Sequence, residues 1–436
     1  MQNVKGTYDY LGPEQALRKS IQSTLEELFE LYDFDGMDTT ILNELELLTS
    51  KYAGGDEIIK EMYQLSDQGE RSLALRYDLT IPFAKVIALH PGLEFPYKRY
   101  EIGKVFRDGP VKRGRLREFL QCDVDVVGIG GPEAEAELMQ LAVEAFRKLD
   151  IPIVLKWNNR RFLGEVLESL GIPAEETLSV MLTLDKIAKI GAAGVQNELA
   201  GKGVNPQVSE AVLALIGMEN PTFEQITASC GIQHKPGALE VVALQQLLQA
   251  TLLEQTCRFD PFLSRGLSFY TGTVYEIFDA SGVHPSSLGG GGRYDNIIGQ
   301  LVGREDMAYP TVGLSFGMEP IMELLRNRSG SMSAADTSSS TVVVIPIGGD
   351  TIPAVLKAAV KLRECGIRTR TDMSGRKLRK SLASIAAKGI RYALLIGESE
   401  AELGQVRLKD MKEKTEFAVT IDEAAAIISR ETRGEA

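Results

Sequence analysis

Residues 99–128 read RYEIGKVFRDGPVKRGRLREFLQCDVDVVG, two apolar stretches separated by a basic loop. Tyr97–Phe106 and Glu118–Gly128 have the alternation of β-strands, and the Gly- and Pro-containing loop between them favours pairing of the two strands. Cations on such a loop can clamp a polyphosphate, although a basic surface hairpin has the same composition. The cations of this segment are Arg107, Lys112, Arg113, Arg115 and Arg117.

The second strand carries polar side chains on one face. Because alternate residues of a strand point the same way, Gln121, Asp123 and Asp125 share a face, and Leu120 and Cys122 share the other. An amide and two carboxylates in a row favour a wet cavity that accepts hydrogen bonds from a ligand. A solvated face of an antiparallel sheet gives the same pattern, so both interpretations stay open at this point.

The flanking sequence places this strand pair in a larger sheet. Pro13–Tyr32 has the apolar stripe of an amphipathic helix, Asn158–Gln255 is mostly helical in pattern, and strand character returns at Leu267–Phe278. Strands, then helices, then strands predict an α+β fold with an antiparallel sheet and a helical insertion. The glycine run at 289–292 permits close backbone approach, but it matches neither a dinucleotide fingerprint nor a P-loop.

The last part of the chain differs in charge and pattern. Residues 327–340 are rich in Ser, Ala and Gly and predict a linker, and the alternating strands and helices of 341–436 predict a small α/β domain. Residues 341–436 have 17 Lys and Arg against 13 Asp and Glu, whereas the whole chain has 48 against 60. This distribution allows a local polyanion contact and argues against a DNA-coating protein, and ordinary scatter also produces a difference of this size.

Composition excludes several classes of protein. The chain of 436 residues is 44% hydrophobic and 25% charged, which is typical of globular domains. No apolar run approaches the roughly 18 residues that span a bilayer, and the first residues lack a secretion signal. Four cysteines and three histidines, far apart in sequence, argue against a disulfide framework and a zinc site. We expect a reduced, soluble, cytoplasmic protein with no metal held by side chains alone.

Together these segments resemble the histidyl-tRNA synthetases, a family of class II aminoacyl-tRNA synthetases. The resemblance runs nearly end to end, and the arginine-led RGLSFYTGTVYE at 265–276 is its most specific segment. The other matching segments are VKGTYDYLGPE (4–14), LRYDLT (75–80), FRDGPVKRGRLREFLQCDVD (106–125, class II motif 2), GGGGRYDNIIGQ (289–300), TVGLSFGMEP (311–320) and GRKLRKSL (375–382).

The resemblance implies an architecture and an activity. The expected architecture is a class II catalytic domain at 1–326, with a helical insertion at about 160–255, a linker at 327–340 and an α/β anticodon-binding domain at 341–436. The implied reaction joins histidine to ATP as histidyl-adenylate and transfers it to the 3′ end of tRNA(His). ATP and Mg²⁺ are then required, and a homodimer built around motif 1 is expected.

The resemblance also implies roles for individual side chains. Histidine binding falls to Asp78 and Thr80 for the α-amino group, Gln121 for the carboxylate, and Asp125 and Tyr270 for the imidazole. The remaining implied roles are catalysis by Arg265 and Arg107, ATP binding by Arg107 and Arg115, and tRNA binding by Arg376, Lys377, Arg379 and Lys380.

This sequence departs from the family pattern mainly in the segments expected to bind ATP. Thr40 replaces a motif 1 proline, Gly109 replaces the motif 2 glutamate that contacts adenine, Pro320 replaces the motif 3 arginine, and Ser268 replaces an aspartate. Arg115, Arg113 or Arg293 can in principle supply the positive charge of the missing motif 3 arginine.

Two alternatives remain at this point. The departures favour a histidine-sensing regulatory paralogue, of the type that regulates ATP phosphoribosyltransferase and does not charge tRNA, but the complete C-terminal part argues against it. A tRNA-binding or amino-acid-transferring paralogue with altered specificity is the other possibility.

Overall fold

The chain forms two compact units, and each is considered separately. The computed structural model describes residues 1–49, 59–111, 114–218, 221–265, 269–304, 309–328, 342–348 and 350–432. One unit comprises Met1–Asp9 and Arg18–Leu325, and the other comprises Tyr10–Leu17 and Arg326–Ala436.

The first unit is built on β-sheet. Its strands are β1 (Asp35–Gly36), β2 (Leu42–Glu44), β3 (Gln64–Ser66), β4 (Ser72–Leu75), β5 (Tyr97–Phe106), β6 (Glu118–Val127), β7 (Ile153–Asn159), β8 (Cys257–Phe259), β9 (Thr273–Asp279), β10 (Gly289–Arg293) and β11 (Thr311–Gly317). Within the described residues, eight strands form one sheet in the order β1-β5-β6-β11-β10-β9-β7-β8, and β2-β4-β3 form a small one. From β5 to β7 along the large sheet, every neighbouring pair is antiparallel.

The helices that lie wholly or mainly in this unit pack on the sheet or follow its strands along the chain. They are α1 (Gly12–Leu31), α2 (Leu45–Thr49), α3 (Thr80–Leu89), α4 (Glu133–Lys148), α5 (Arg160–Ser169), α6 (Thr177–Leu184), α7 (Ile187–Gly201), α8 (Pro206–Ile216), α9 (Phe223–Cys230), α10 (Pro236–Ala250), α11 (Ile297–Leu301) and α12 (Met318–Arg328). Phe29 of α1 and Phe146 of α4 both contact Phe316 of β11, with ring centroids 5.7 and 5.8 Å apart. Because Phe316 is opposite Cys122, α1 and α4 cover the Cys122 face, and the opposite face carries Gln121, Asp123 and Asp125.

The second unit contains a sheet in the order β13-β12-β14-β15-β16. Its elements are β12 (Val342–Pro346), α13 (Ile352–Glu364), β13 (Thr369–Thr371), α14 (Leu378–Ala387), β14 (Tyr392–Ile396), α15 (Glu398–Leu403), β15 (Gln405–Asp410), β16 (Thr415–Thr420) and α16 (Ile421–Thr432). The pairs of β12 with β13 and β14 are parallel, which fits strands connected through helices. The buried Val342, Val344, Leu394 and Ile428 belong to its main core.

The predicted fold class is confirmed: an α+β unit with an antiparallel sheet and a helical insertion, followed by an α/β unit. One local prediction was wrong, because the strand predicted from Leu267 begins at Thr273. The glycine run forms strand β10. Apart from residues 327 and 328, which end α12, the predicted linker lies outside the described residues, and the domain bounds stay a prediction.

Candidate active site

A cavity of about 740 Å³ lies against the polar face of the large sheet. It is lined by every predicted site residue of the first unit except Asp125, namely Asp78, Thr80, Arg107, Arg115, Gln121, Arg265 and Tyr270. Side chains that no sequence motif had assigned also line it, among them Glu61, Phe119, Asp123, Phe269, Glu276 and Ser315. Loops and strands distant in sequence thus meet in one polar cavity, whose wall contains both carboxylates and arginines.

Asp125 lines a smaller, adjoining cavity of about 30 Å³, which shares Thr80, Asp123 and Tyr270 with the large one. The Tyr294 hydroxyl donates a hydrogen bond to Asp125 Oδ1, and Arg99 Nη2 lies 2.7 Å from Asp125 Oδ2. Gly313, opposite Asp125 in strand β11, makes this arrangement possible, because a Cβ there would overlap Oδ1. Burial raises the pKa of Asp125, whereas Arg99 and the Tyr294 hydrogen bond lower it.

A buried network of ion pairs contacts Asp125 and continues into strand β5. Arg99 and Glu101 of strand β5 are 0% and 1% exposed, and Arg76 Nη1 lies 2.7 Å from Glu101 Oε1. The Arg99 guanidinium also stacks over the Phe83 ring, 4.4 Å from its centroid. Breaking a buried pair by removing one partner costs several kcal/mol, so these contacts hold the floor of the cavity in one conformation.

The turn into helix α3 positions the next two predicted side chains. Asp78 Oδ1 accepts hydrogen bonds from the backbone N–H groups of Thr80 and Ile81, at 3.0 and 3.1 Å. Burial raises the pKa of Asp78, while these N–H groups and the Arg107 guanidinium lower it. A carboxylate and a hydroxyl therefore point to the cavity from one helix end, the chemistry that holds an ammonium group.

Two arginines enter the cavity from different segments. Arg107 follows strand β5, donates from Nε to the Tyr77 carbonyl at 3.1 Å and stacks over Phe119, 4.9 Å from the ring centroid. Arg265 donates from Nη1 to the Tyr275 carbonyl at 2.9 Å, and a Cβ on Gly290 would overlap that nitrogen. The glycine run therefore admits the Arg265 side chain, a role that its sequence alone does not show.

The family model for histidyl-tRNA synthetase matches residues 6–321, and the anticodon-binding-domain model matches 341–431. This chain belongs to the histidyl-tRNA synthetase family. A relative from Bacillus cereus, histidine--tRNA ligase 1, is 46% identical over 426 residues, 97% of this chain and 98% of that protein.

Solved structures show the same fold. The histidyl-tRNA synthetase of Nostoc sp. PCC 7120 superposes with a TM-score of 0.82 at 27% identity and covers 99% of both chains. A Bacillus halodurans C protein described as an ATP phosphoribosyltransferase regulatory subunit/histidyl-tRNA synthetase has a TM-score of 0.71 at 19% identity, over 88% of this chain and 96% of that one. The class II synthetase fold predicted from the motifs is confirmed.

Gly109 of motif 2, which lacks the family's glutamate, lies beside the carboxylate of Glu61, a residue outside the motif. Glu61 lies so close that a Cβ on Gly109 would be 2.9 Å from its carboxylate carbon, and its carbonyl accepts the Asp108 N–H at 2.7 Å. The Glu61 carboxylate pairs with Arg115, whose side chain is 47% exposed. Residues 61 and 115 lie far apart in sequence, so no motif spacing indicates this contact.

Three cations were considered as substitutes for the motif 3 arginine, and the structure argues against Arg293, which does not line this cavity. Its Nε and Nη2 donate to Glu135 at 2.7 and 2.6 Å, and it lines a different cavity of about 450 Å³. Arg113, like Lys112 and Ser268, lies outside the described residues. Pro320 lies in the first turn of α12 and packs against Gly317 at the cavity wall, which leaves Arg115 as the described candidate.

In the second unit, the four predicted tRNA-binding cations are exposed and adjacent. Arg376 and Lys377 precede helix α14, and Arg379 and Lys380 lie in its first turn. Among the described residues, no group of three or more His, Cys, Asp or Glu side chains is arranged to hold a metal ion. None of the described helices has the length and apolarity needed to cross a membrane.

Proposed function

We propose that this chain activates histidine with ATP and then transfers the histidyl group to the 3′ end of tRNA(His). The observation that carries the proposal is the single cavity in which Asp78, Thr80 and Gln121 lie together with Arg107 and Arg265. The histidine carboxylate attacks the α-phosphorus of ATP, pyrophosphate leaves, and the terminal hydroxyl of the tRNA then attacks the mixed anhydride. Two anions must meet in the first step, so cations beside the reacting phosphate lower its barrier.

We assign the histidine end of the cavity as follows. The Asp78 carboxylate and the Thr80 hydroxyl hold the α-amino group, and Gln121, whose Nε2 donates to Ser315 Oγ at 3.1 Å, faces the substrate carboxylate. Tyr270 and the neighbouring Asp123 and Asp125 face the imidazole. Because a site built to hydrogen-bond a polar ring rejects rings that lack its groups by about 10⁴-fold or more, this end needs no separate editing step.

The nucleotide end has a different composition. Arg107 and Arg265 contact the α-phosphate, and Arg115 leaves Glu61 for the outer phosphates. Mg²⁺ is proposed to accompany ATP, because protein sites bind it through one or two carboxylates plus substrate phosphates, and Glu276 provides a carboxylate in the cavity wall. Bound in this way, Mg²⁺ would offset phosphate charge, while Arg107 and Arg265 orient the α-phosphate for attack.

The cations around α14 are proposed to contact the tRNA backbone. Lys377, Arg379 and Lys380 flank or occupy the first turn of a helix, where the helix dipole disfavours positive charge. A bound polyanion would offset this repulsion, and such binding weakens as salt rises.

We further propose a cytoplasmic homodimer. Ile41 and Leu42, within the segment that matches motif 1, are 42% and 49% exposed, and burial against a second copy would remove this apolar area from water. Sedimentation equilibrium would give twice the chain mass for a dimer, and a single-chain mass at micromolar concentration would contradict it.

Charging of tRNA(His) with labelled histidine tests the function. The unmodified protein is expected to charge tRNA(His), and the double variant Arg379→Ala/Lys380→Ala is expected to bind tRNA about 10-fold more weakly while it retains adenylate formation. Absence of charging together with histidine-dependent adenylate formation would favour a paralogue that does not use tRNA(His). Equal loss of charging and adenylate formation in the double variant would contradict the tRNA assignment.

A further inference from the structure

The segment that leads into Arg265 is built on the helical insertion. Phe262 packs against the apolar core that the insertion helices form, and Met181 of helix α6 belongs to that core. The buried Ser264 hydroxyl donates a hydrogen bond to the Met181 carbonyl at 3.0 Å. The residue immediately before Arg265 is therefore fixed to the last turn of α6.

Asp185, at the end of the same helix, adds a negative charge to this contact. It is the C-terminal cap of α6, and its Oδ1 lies 3.4 Å from the Ser264 hydroxyl. The helix dipole disfavours a carboxylate at this position, so nearby cations are needed to offset the charge. Burial lowers the pKa of the Arg160 and Arg265 guanidinium groups, and the Asp185 carboxylate is among the charges that raise the pKa of both. The end of α6 therefore attracts the Arg265 side chain as well as holding its neighbour.

The backbone of Arg265 needs such support. Its φ is 55°, in the left-handed region that residues other than glycine rarely adopt. A residue in this region keeps its conformation only where the surrounding contacts fix it. The Tyr275 carbonyl holds the far end of the side chain at 2.9 Å, and Ser264 holds the backbone beside it. Both contacts are needed to define where the guanidinium lies in the cavity.

We propose that the helical insertion takes part in histidyl-adenylate formation by fixing Arg265, with Ser264 and Asp185 as positioning residues. This inference rests on the proposed function, in which Arg265 contacts the α-phosphate. Neither Ser264 nor Asp185 lines the cavity, so both act through Arg265. Because charge develops on the phosphate during attack, a displaced guanidinium lowers the rate of the step more than it lowers substrate binding.

Single-turnover adenylate formation at varied histidine and ATP tests the inference. We expect the maximal rate to fall about 10-fold in Ser264→Ala, with both half-saturating concentrations within about twofold of the unmodified protein. Asp185→Asn retains the shape of the exposed side chain but loses its charge, and we expect a fall of about threefold. It keeps the test decisive if the melting temperature shows that Ser264→Ala does not fold.

Ser229→Ala is the matched control for the lost hydroxyl. The Ser229 hydroxyl donates to the Ile226 carbonyl at 3.0 Å in helix α9 of the same insertion, away from the cavity. This variant should form adenylate at the rate of the unmodified protein. A fall equal to that of Ser264→Ala would show a general effect of destabilising the insertion and would overturn the inference.

A double variant tests whether Ser264 acts through Arg265. Arg265→Ala/Ser264→Ala should form adenylate within about twofold of the rate of Arg265→Ala alone, because the side chain to be positioned is absent. Losses that multiply in the double variant, or unchanged rates in Asp185→Asn and folded Ser264→Ala, would overturn the inference and leave the proposed function intact. Absence of histidine-dependent adenylate formation by the unmodified protein would overturn the proposed function and this inference with it.

Discussion

The two proposed ends of the candidate active-site cavity are built in opposite ways. At the histidine end, Arg99 and Asp125 form an ion pair whose side chains are 0% and 5% exposed. At the nucleotide end, Arg115 and Glu61 form a pair whose side chains are 47% and 26% exposed. Buried pairs persist because separating them leaves an uncompensated charge, whereas exposed pairs contribute about 0–1 kcal/mol and exchange readily. On the assignment proposed above, the histidine subsite is formed before substrate arrives, and the nucleotide subsite exchanges Glu61 for phosphate.

This contrast explains how the chain accommodates its departures from the family pattern. The changes at Gly109 and Pro320 fall at the end whose contacts are exposed and interchangeable. Asp78, Gln121 and Tyr270, which are proposed to face histidine, match the family pattern, whereas Ser268 of the segment at 265–276 departs from it and lies outside the described residues. We infer that an exposed ion pair tolerates replacement of its neighbours better than a buried network does.

The largest effect is expected where the two ends meet. Arg107→Ala removes a cation beside the reacting phosphate, and we expect the rate of histidyl-adenylate formation to fall by about 10²–10³-fold. Lys104→Ala, which removes an exposed cation of strand β5, just before Arg107, that is paired with Glu118, is the control and should change the rate less than about twofold. Single-turnover adenylate formation measures both. Equal rates for the two variants would contradict the assignment of Arg107.

A methyl group at Gly313 should damage the histidine end selectively. Its Cβ would displace the Asp125 carboxylate and disturb the Tyr294 hydrogen bond. A loss of about 2 kcal/mol corresponds to a KM for histidine about 30-fold higher, with the KM for ATP little changed. Gly130→Ala is the matched control, because its nearest neighbour, Pro310, would lie 3.7 Å from the new Cβ. An equal rise in both KM values for Gly313→Ala would show that the two ends are not independent.

The smallest effect is expected at the nucleotide end. Glu61→Gln removes the carboxylate that competes with phosphate for Arg115, so the KM for ATP should fall by about three- to fivefold, with the KM for histidine unchanged. Glu118→Gln breaks a similar exposed pair, with Lys104, outside the cavity and serves as the control. Steady-state pyrophosphate exchange at varied ATP gives both constants. A higher KM for ATP in Glu61→Gln would mean that Glu61 supports nucleotide binding rather than opposing it.

Much of the fold and of the site could be predicted from local sequence. Strand alternation predicted that Gln121, Asp123 and Asp125 share one face. The family resemblance assigned Arg107, Arg265 and Asp78 to one site, and the structure places them in the wall of one cavity. The start of strand β9 was missed, because Tyr270 lies in the segment before the strand rather than within it.

Contacts between distant segments could not be predicted from a single sequence. The proximity of Glu61 to Arg115, and of Glu135 to Arg293, depends on how separate loops and helices pack. The different surroundings of Asp123 and Asp125 depend on Tyr294 and Gly313, which follow them by about 170 and 190 residues. Alternation along a strand gives the face of a side chain but not the neighbour across the cavity.

Histidine-dependent exchange of pyrophosphate into ATP, measured with each standard amino acid in turn, tests the central claim most directly. The account predicts exchange with histidine alone, because the preformed end selects the amino acid and Arg107, Arg265 and Arg115 suffice for ATP. No exchange at saturating ATP and Mg²⁺ would show that Gly109 and Pro320 disable the nucleotide end. Exchange with several amino acids would contradict the selectivity assigned to the histidine end.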